Sequence, residues 1–250
     1  MKRLAFILLL LFPSIVFASR NFDGANDEID MGNNHDVTTV DLTFGVWYRG
    51  TEDAGTDLLI GKKNGITATN AGWTLWQNAT DNNAVIMSDG TDSVTCTGTN
   101  DTDGGWHLTI VTWNASTEVV TQYLREFIGN SLVTESTDCT ATGGGSIDSL
   151  TNAVVLQMGE TSADAEDATG QMAFAFVYRG QLLSTAERAE IAFKPGFIPP
   201  TTKANYGFWP IWGVNAPEVD QSGNALTGAV TGTTLSREMP PAMFGGGLPL

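Results

Sequence analysis

The stretch from Asp103 to Trp113, DGGWHLTIVTW, constrains the fold of this 250-residue chain more than any other. Its first three residues, Asp-Gly-Gly, favour a tight turn because glycine and aspartate tolerate positive φ. The residues that follow alternate strictly between two faces, and β-branched and aromatic side chains dominate both. A strand that is apolar on both faces is covered on both sides. The stretch therefore predicts a central strand of a layered β-protein.

Further alternating segments, separated by turns rich in Gly, Asn and Asp, predict more short strands. They lie at 41–49, 72–78, 84–88, 94–97 and 119–127, and the nearly all-apolar stretch 170–179 predicts a buried strand. Residues 21–32 predict a hairpin whose turn is Asp23-Gly24. Ser184 and Glu187 form a capping box, which predicts one short helix over residues 185–193. Many short strands with one helix predict an all-β sandwich of two antiparallel sheets.

The first 18 residues have the pattern of a secretory signal peptide. Lys2 and Arg3 precede an apolar run over residues 4–17, and Ala18 fits a small-residue cleavage site. The run is too short to cross a bilayer comfortably, although an uncleaved anchor is the alternative. We therefore expect a secreted protein, periplasmic or extracellular, whose residues 19–250 form a single domain without integral membrane contact.

The strongly acidic composition excludes one class of partner. The formal net charge is −16, and removal of Lys2 and Arg3 would make it more negative. Such a surface repels phosphate groups, so no nucleic acid is expected as a partner. Acidic turns can bind Ca²⁺, with Asp23, Asn26 and Asp27 as candidates and the loop 164–167 as another, but no EF-hand spacing is present. A generally acidic surface is the simpler interpretation, so no cofactor is expected.

Cys96 and Cys139 are the only cysteines of the chain. An even pair in an exported protein predicts a disulfide bond between them. Two free buried cysteines are the alternative, because pairing does not follow from sequence alone.

Five segments resemble, in order, the landmarks of the concanavalin A-like lectin and glucanase superfamily, in its laminin-G-like jelly-roll branch. They are FDGANDEIDMG, LTFGVWYRG, LLIGKKN with GWTLWQN, DGGWHLTIVTWNAST, and the stretch from VVLQMG to RAEI, and they run from Phe22 to Ile191. The segment 205–235, with GFWP and DQSGN, resembles one that often flanks such domains, including in phage-encoded chains. The resemblance implies a jelly-roll β-sandwich, with an added C-terminal strand beside the N-terminal hairpin.

A non-catalytic function follows from the resemblance once the residues of related hydrolases are sought. Hydrolases of the superfamily carry a strand with three alternating carboxylates, and Glu28 and Asp30 begin that pattern without a third. His107 lies in an apolar strand and is interpreted as a core histidine. Trp209 and Trp212 are interpreted as packing residues. We expect a carbohydrate-binding or adhesion module whose partner is a glycan or glycosylated surface; a phage-type structural or virion-surface protein and a glycoside hydrolase are the alternatives.

Alternation in residues 72–78 points to a candidate ligand site. The resemblance places Trp73 and Leu75 inward, so Trp76, Thr74 and Asn78 face away from the core. An exposed indole flanked by short hydrogen-bonding side chains suits a sugar. The alternative is that a loop or the C-terminal segment covers Trp76, since large aromatic side chains are mostly buried.

Overall fold

The computed structural model describes residues 19–50, 55–80, 82–100, 104–128, 131–132, 135–161, 166–193, 206–211, 217–224, 226–238 and 240. Its elements are β1 (Ser19–Asp23), β2 (Glu28–Asp30), β3 (Leu42–Gly50), β4 (Asp57–Lys62), β5 (Ala71–Gln77), β6 (Asn82–Asp89), β7 (Ser93–Asn100), β8 (His107–Asn114), β9 (Val119–Ile128), β10 (Ser131–Leu132), β11 (Ser136–Thr142), β12 (Gln157–Met158), β13 (Thr169–Arg179), α1 (Thr185–Phe193), β14 (Tyr206–Trp209), β15 (Ala229–Thr231) and β16 (Thr234–Ser236). The predicted signal peptide lies outside the described residues. Within them, no helix is long and apolar enough to cross a membrane.

The strands form two antiparallel sheets, as the sequence predicts. The nine-stranded sheet has the order β10-β9-β8-β3-β13-β1-β16, with β11 paired to β9 and β14 paired to β13. The seven-stranded sheet has the order β15-β2-β12-β4-β5-β6-β7. One core lies between the sheets and a second lies on the outer face of the nine-stranded sheet.

The strand β8 lies between β3 and β9 and is buried on both faces, which confirms the predicted central strand. Val111 and Trp113 point into the core between the sheets. Leu108 and Ile110 point to the opposite face, where α1 packs. Successive side chains of β8 therefore point alternately into the two cores.

The helix α1 begins with the predicted capping box. The backbone N–H of Ser184 donates to Glu187 Oε2 at 2.9 Å, and the Glu187 N–H donates to Ser184 Oγ at 3.4 Å. Arg188 ties the helix to the sheet, since its Nη2 donates to Glu135 Oε1 at 2.7 Å and its guanidinium lies 3.7 Å from the centre of the Tyr123 ring. Paired and stacked arginine charges of this kind fix orientation as well as add energy.

The core between the sheets is built around large aromatic side chains. Phe44 from β3 and Trp73 from β5 are both fully buried, and their ring centroids lie 4.3 Å apart. They come from different sheets, so their contact spans the sandwich. Close packing of this type makes the core sensitive to loss of either ring.

The C-terminal segment extends both sheets. β14 pairs with β13, β15 pairs with β2, and β16 pairs with β1. The predicted C-terminal strand beside the N-terminal segment is therefore confirmed. Trp209 is fully buried, as expected of a packing residue, and its Nε1 donates to Leu226 O at 2.5 Å. Trp212 lies outside the described residues.

The predicted hairpin at residues 21–32 is wrong. β1 belongs to the nine-stranded sheet and β2 to the seven-stranded sheet, and the turn between them carries the chain from one layer to the other. Gly24 and Asn26 have φ of 82° and 58° in this turn. The Asp23 N–H donates to Asp27 Oδ2 at 2.5 Å. Turn residues mark a reversal of the chain, but they do not determine whether the flanking strands pair.

The predicted disulfide is present between Cys96 on β7 and Cys139 on β11. Because β7 is in the seven-stranded sheet and β11 pairs with the nine-stranded sheet, the bond links the two layers at one edge. Asp138, next to Cys139, strengthens the same junction, since its Oδ1 accepts from the Thr99 N–H at 2.8 Å.

Candidate functional site

The sequence-predicted site on β5 has the expected orientation. Trp73 and Leu75 lie in the core between the sheets. Trp76 belongs to a separate cluster with Ala84 and Ile86 on the outer face of the seven-stranded sheet. The direction of Trp76, away from the main core, is therefore as predicted.

Trp76 is nevertheless buried. Only 7% of it is exposed, and Ile66, from the loop between β4 and β5, packs against its cluster. Thr74 is also buried. Its hydroxyl packs so closely on Gly61 that a Cβ atom at position 61 would lie only 2.4 Å from it. Asn78 is half-buried and its Oδ1 accepts from the Thr80 N–H at 2.9 Å. Of the two interpretations of Trp76, the structure favours cover by a loop, and a ligand-binding role for these three residues stays a prediction.

The calcium candidates lie in the turn between β1 and β2. Asp23 and Asn26 are exposed, whereas Asp27 is buried. Burial raises the pKa of the Asp27 carboxyl, and the nearby carboxylates of Asp23 and Asp167 add repulsion in the same direction. Among the described residues, no group of three His, Cys, Asp or Glu side chains has a metal-binding arrangement. Asp164 lies outside the described residues, and calcium binding stays a prediction.

The two histidines occupy different environments. His107 is buried in the β8 strand, and its ring stacks on Tyr48 with centroids 5.7 Å apart, in agreement with a core role. His35 lies after β2 with φ of 61°, a left-handed conformation that costs a non-glycine residue roughly 1 kcal/mol or more. Its ring and that of Trp209 form a T-shaped pair with centroids 5.8 Å apart.

His35 lines a cavity of about 200 Å³ at one edge of the sandwich, which we call the His35 pocket. It is formed by the loop after β2, the end of β13, the start of β14 and the turn before β15. Its described lining residues are Asn34, His35, Arg179, Tyr206, Asn224 and Leu226. The mixture of amide, imidazole, guanidinium, phenol and aliphatic groups is that of a small-molecule site with a few orienting polar groups.

Hydrogen bonds and stacking hold the walls of the His35 pocket. Arg179 Nη1 donates to the backbone oxygen of Asp36 at 3.1 Å. The Tyr206 ring stacks on Tyr178 with centroids 5.5 Å apart. Asn224 Nδ2 donates to the backbone oxygen of Tyr206 at 2.6 Å. The pocket is therefore preorganised by contacts that cross from one wall to the next.

The turn that carries Asn224 is organised by one carboxylate. Asp220 Oδ1 accepts from the N–H groups of Phe208 at 3.0 Å and Ser222 at 2.8 Å. Asp220 Oδ2 accepts from the Ser222 hydroxyl at 2.6 Å and the Leu226 N–H at 3.1 Å. The DQSGN motif is thus a structural turn whose acidic group is already saturated with donors.

Burial sets the protonation state of His35. Desolvation lowers its pKa to about 4; the negative charge of Asp220 opposes this shift, and the positive charges of Arg179 and Lys62 add to it. The ring is therefore neutral at pH 7. Its Nε2 is buried and has no hydrogen-bond partner among the described residues. Tyr206 has a raised pKa, mainly through burial, so its hydroxyl stays protonated.

No direct signal for this pocket is present in the sequence. His35, Arg179, Tyr206 and Asn224 are scattered over four segments that only the tertiary fold brings together. The one local signal is the polar run Asn33-Asn34-His35-Asp36, which is unusual between two core residues such as Met31 and Val37. In the sequence pattern, Arg179 is recognisable only as the polar residue that ends an apolar strand.

Comparison with known proteins supports the fold. No protein-family model matches the chain, and no curated protein sequence matches it. The native heptameric SAP-like pentraxin from Limulus polyphemus has a TM-score of 0.56 at 12% identity and covers 89% of this chain and 95% of its own. Domains LG4-5 of the mouse laminin α1 chain have a TM-score of 0.49 at 14% identity, covering 67% of this chain and 43% of theirs. The CBM40 of the Ruminococcus gnavus IT-sialidase has a TM-score of 0.47 at 12% identity, covering 69% and 96%.

Of these three matches, the pentraxin alone exceeds a TM-score of 0.5. At such low identity it shows the fold and nothing further. Together with the two antiparallel sheets, it confirms the predicted concanavalin A-like jelly roll.

Proposed function

We propose that this chain is a secreted, non-catalytic carbohydrate-binding module that retains a glycan or a glycosylated surface. The observation that carries the proposal is the His35 pocket, because its size and its orienting amide, phenol and imidazole groups suit one sugar unit. Export is supported by the disulfide and by the apolar N-terminal pattern. The strongly negative net charge again argues against nucleic acid.

A binding function is favoured over hydrolysis by the chemistry of the pocket. Glycoside hydrolysis uses a pair of carboxyl groups on either side of the scissile bond. The described lining residues of the pocket include no Asp or Glu. Nearby Asp220 is saturated with donors, and Asp30 accepts from the Gly32 N–H at 2.7 Å in its own turn. These carboxylates are structural.

A glycan array probed with the exported protein tests the proposal. We expect retention of a subset of glycans by the wild type and weaker retention by Asn34→Ala, which removes an exposed amide from the pocket wall. Thr38→Ala, an exposed change in the same loop outside the lining residues, is the matched control. Absence of retention across the array by folded protein would contradict the proposal and favour a structural or virion-surface role. Release of reducing sugar from any retained glycan would contradict the non-catalytic part.

A further inference from the structure

We propose that the His35 pocket is selective for a carboxylate-bearing sugar unit, with the guanidinium of Arg179 pairing the carboxylate. The inference rests on the proposed function and specifies its ligand class. Three observations carry it: the unused donors of Arg179, the engagement of the neighbouring charges, and the neutral polar groups on the other walls.

Arg179 is the one cation among the described lining residues. Its side chain makes a single hydrogen bond within the described part of the chain, from Nη1 to Asp36 O at 3.1 Å. Two of its nitrogens, Nε and Nη2, therefore keep donors for a ligand. A guanidinium presents such donors in a planar fork that matches the two oxygens of a carboxylate.

The other charged groups near the pocket are already engaged. Lys62 is fully buried, with its Nζ 3.0 Å from Asp36 Oδ1 and 2.6 Å from Asn33 Oδ1. Asp220, whose negative charge opposes the downward shift of the His35 pKa, accepts from three backbone N–H groups and a hydroxyl. Asp220 disfavours an anion by its charge, but its four hydrogen bonds stabilise that charge within its own turn. Arg179 is therefore the charged lining residue that keeps unused hydrogen-bond donors.

The remaining walls suit the hydroxyl groups of a sugar. Asn34 and Asn224 offer amides that both donate and accept. Leu226 supplies an apolar surface for ring C–H groups. At about 200 Å³ the cavity lies below the roughly 300–1,000 Å³ typical of drug-sized ligands, which favours one sugar unit over an extended chain.

The test is an NMR titration of the exported protein with glucuronate and with galacturonate, each compared with its methyl ester. The ester keeps every hydroxyl and removes the charge. We expect saturable shifts at the backbone amides of Asn34, His35 and Asn224 with the acids, and at least tenfold weaker binding of the esters. Equal binding of acid and ester, or no saturable shift in the pocket with either acid, would overturn the inference.

Variants separate the pocket from general charge effects. Arg179→Met should weaken acid binding at least tenfold, and Arg179→Lys should weaken it to an intermediate degree because the fork is lost. Arg237→Met is the matched control, since Arg237 is exposed and outside the pocket, and it should bind as the wild type does. If Arg179→Met is unstable, Asn34→Ala provides a second variant on another wall. Unchanged binding by these pocket variants would refute the inference.

The same variants distinguish failure of this inference from failure of the proposed function. If wild type and Arg179→Met retain the same array glycans equally, the chain binds carbohydrate elsewhere and the pocket assignment is wrong. If the wild type titrates with the acids but retains no glycan, the pocket assignment holds and the broader function is wrong.

Discussion

Arg20 and Glu218 are 198 residues apart in sequence, yet Arg20 Nε lies 2.6 Å from Glu218 Oε1. Both side chains are almost fully buried, at 5% and 2% exposure. The pair joins β1 to the segment that leads into β15. Loss of one partner from a buried pair leaves the other charge poorly compensated, which typically costs about 3–5 kcal/mol.

We therefore expect Glu218→Ala to lower the free energy of unfolding by about 3–5 kcal/mol, measured by urea denaturation. The matched control is Glu238→Ala, because Glu238 pairs with Arg49 at the surface, with side chains 55% and 38% exposed. Exposed pairs contribute about 0–1 kcal/mol. Equal losses in the two variants would show that the Arg20–Glu218 contact adds no special stability.

The disulfide gives a second prediction. It closes a loop with a sequence separation of 43, for which the chain-entropy relation gives about 4 kcal/mol. Cys96→Ala should lower the melting temperature while the circular dichroism of the fold remains. Mass mapping of the exported protein without reductant should find a peptide pair joined through Cys96 and Cys139; two free thiols would refute the bond.

Truncation of Trp76 decides between its two interpretations. Burial predicts that Trp76→Ala lowers the free energy of unfolding by roughly 3–5 kcal/mol. Val219→Ala is the control, since Val219 is 57% exposed and its loss should have little effect. Near-native stability of Trp76→Ala together with lost glycan retention would instead assign Trp76 to a binding site.

His35 predicts a dependence of stability on pH. Its folded pKa of about 4 lies below its ordinary value of 6.5, so the unfolded chain binds more protons between these values. Stability is not reduced by His35 above about pH 6.5. It falls as the pH drops through this window, and the loss reaches on the order of 3 kcal/mol by pH 4.

The variant His35→Asn isolates this effect, because asparagine tolerates the left-handed backbone of residue 35 and does not titrate. We expect the wild type to lose unfolding free energy relative to the variant, by on the order of 3 kcal/mol, between pH 7 and pH 4. A difference that stays constant over this range would mean that His35 is not buried in its neutral form.

Calcium provides a separate test of the acidic turns. If the acidity is only surface charge, the melting temperature should be the same in EDTA and in millimolar Ca²⁺. A calcium-dependent rise would follow from binding to the folded state by mass action. If Asp27→Asn abolished that rise, the ion would lie at the turn of Asp23, Asn26 and Asp27.

The elements that sequence predicted well are those determined by local periodicity. The alternation of β8 identified both of its buried faces, because strand geometry alone sends neighbouring side chains to opposite sides. The capping box of Ser184 and Glu187 located α1 for the same reason, since its hydrogen bonds span only three residues.

What sequence did not predict depends on contacts between distant segments. The direction of Trp76 followed from alternation together with the family resemblance, and cover by a loop was one of its two interpretations, but the covering residue, Ile66, could not be identified from sequence. The turn at Asp23-Gly24 can be predicted from sequence, but the change of layer between β1 and β2 cannot. A hairpin and a crossing between sheets use the same turn residues. The His35 pocket combines residues from four segments, and none of them carries a local motif for binding.

The pairing of β1 with β16 and of β2 with β15 has a consequence during synthesis. The partner strands lie about two hundred residues later in the chain. Arg20 and Glu218, which lie next to these pairings, are 198 residues apart. At roughly 5–20 residues per second, the ribosome needs about 10–40 s to make that length. For that time the outer edges of β1 and β2 lack their final neighbours, and an open edge is a template for pairing with another nascent chain.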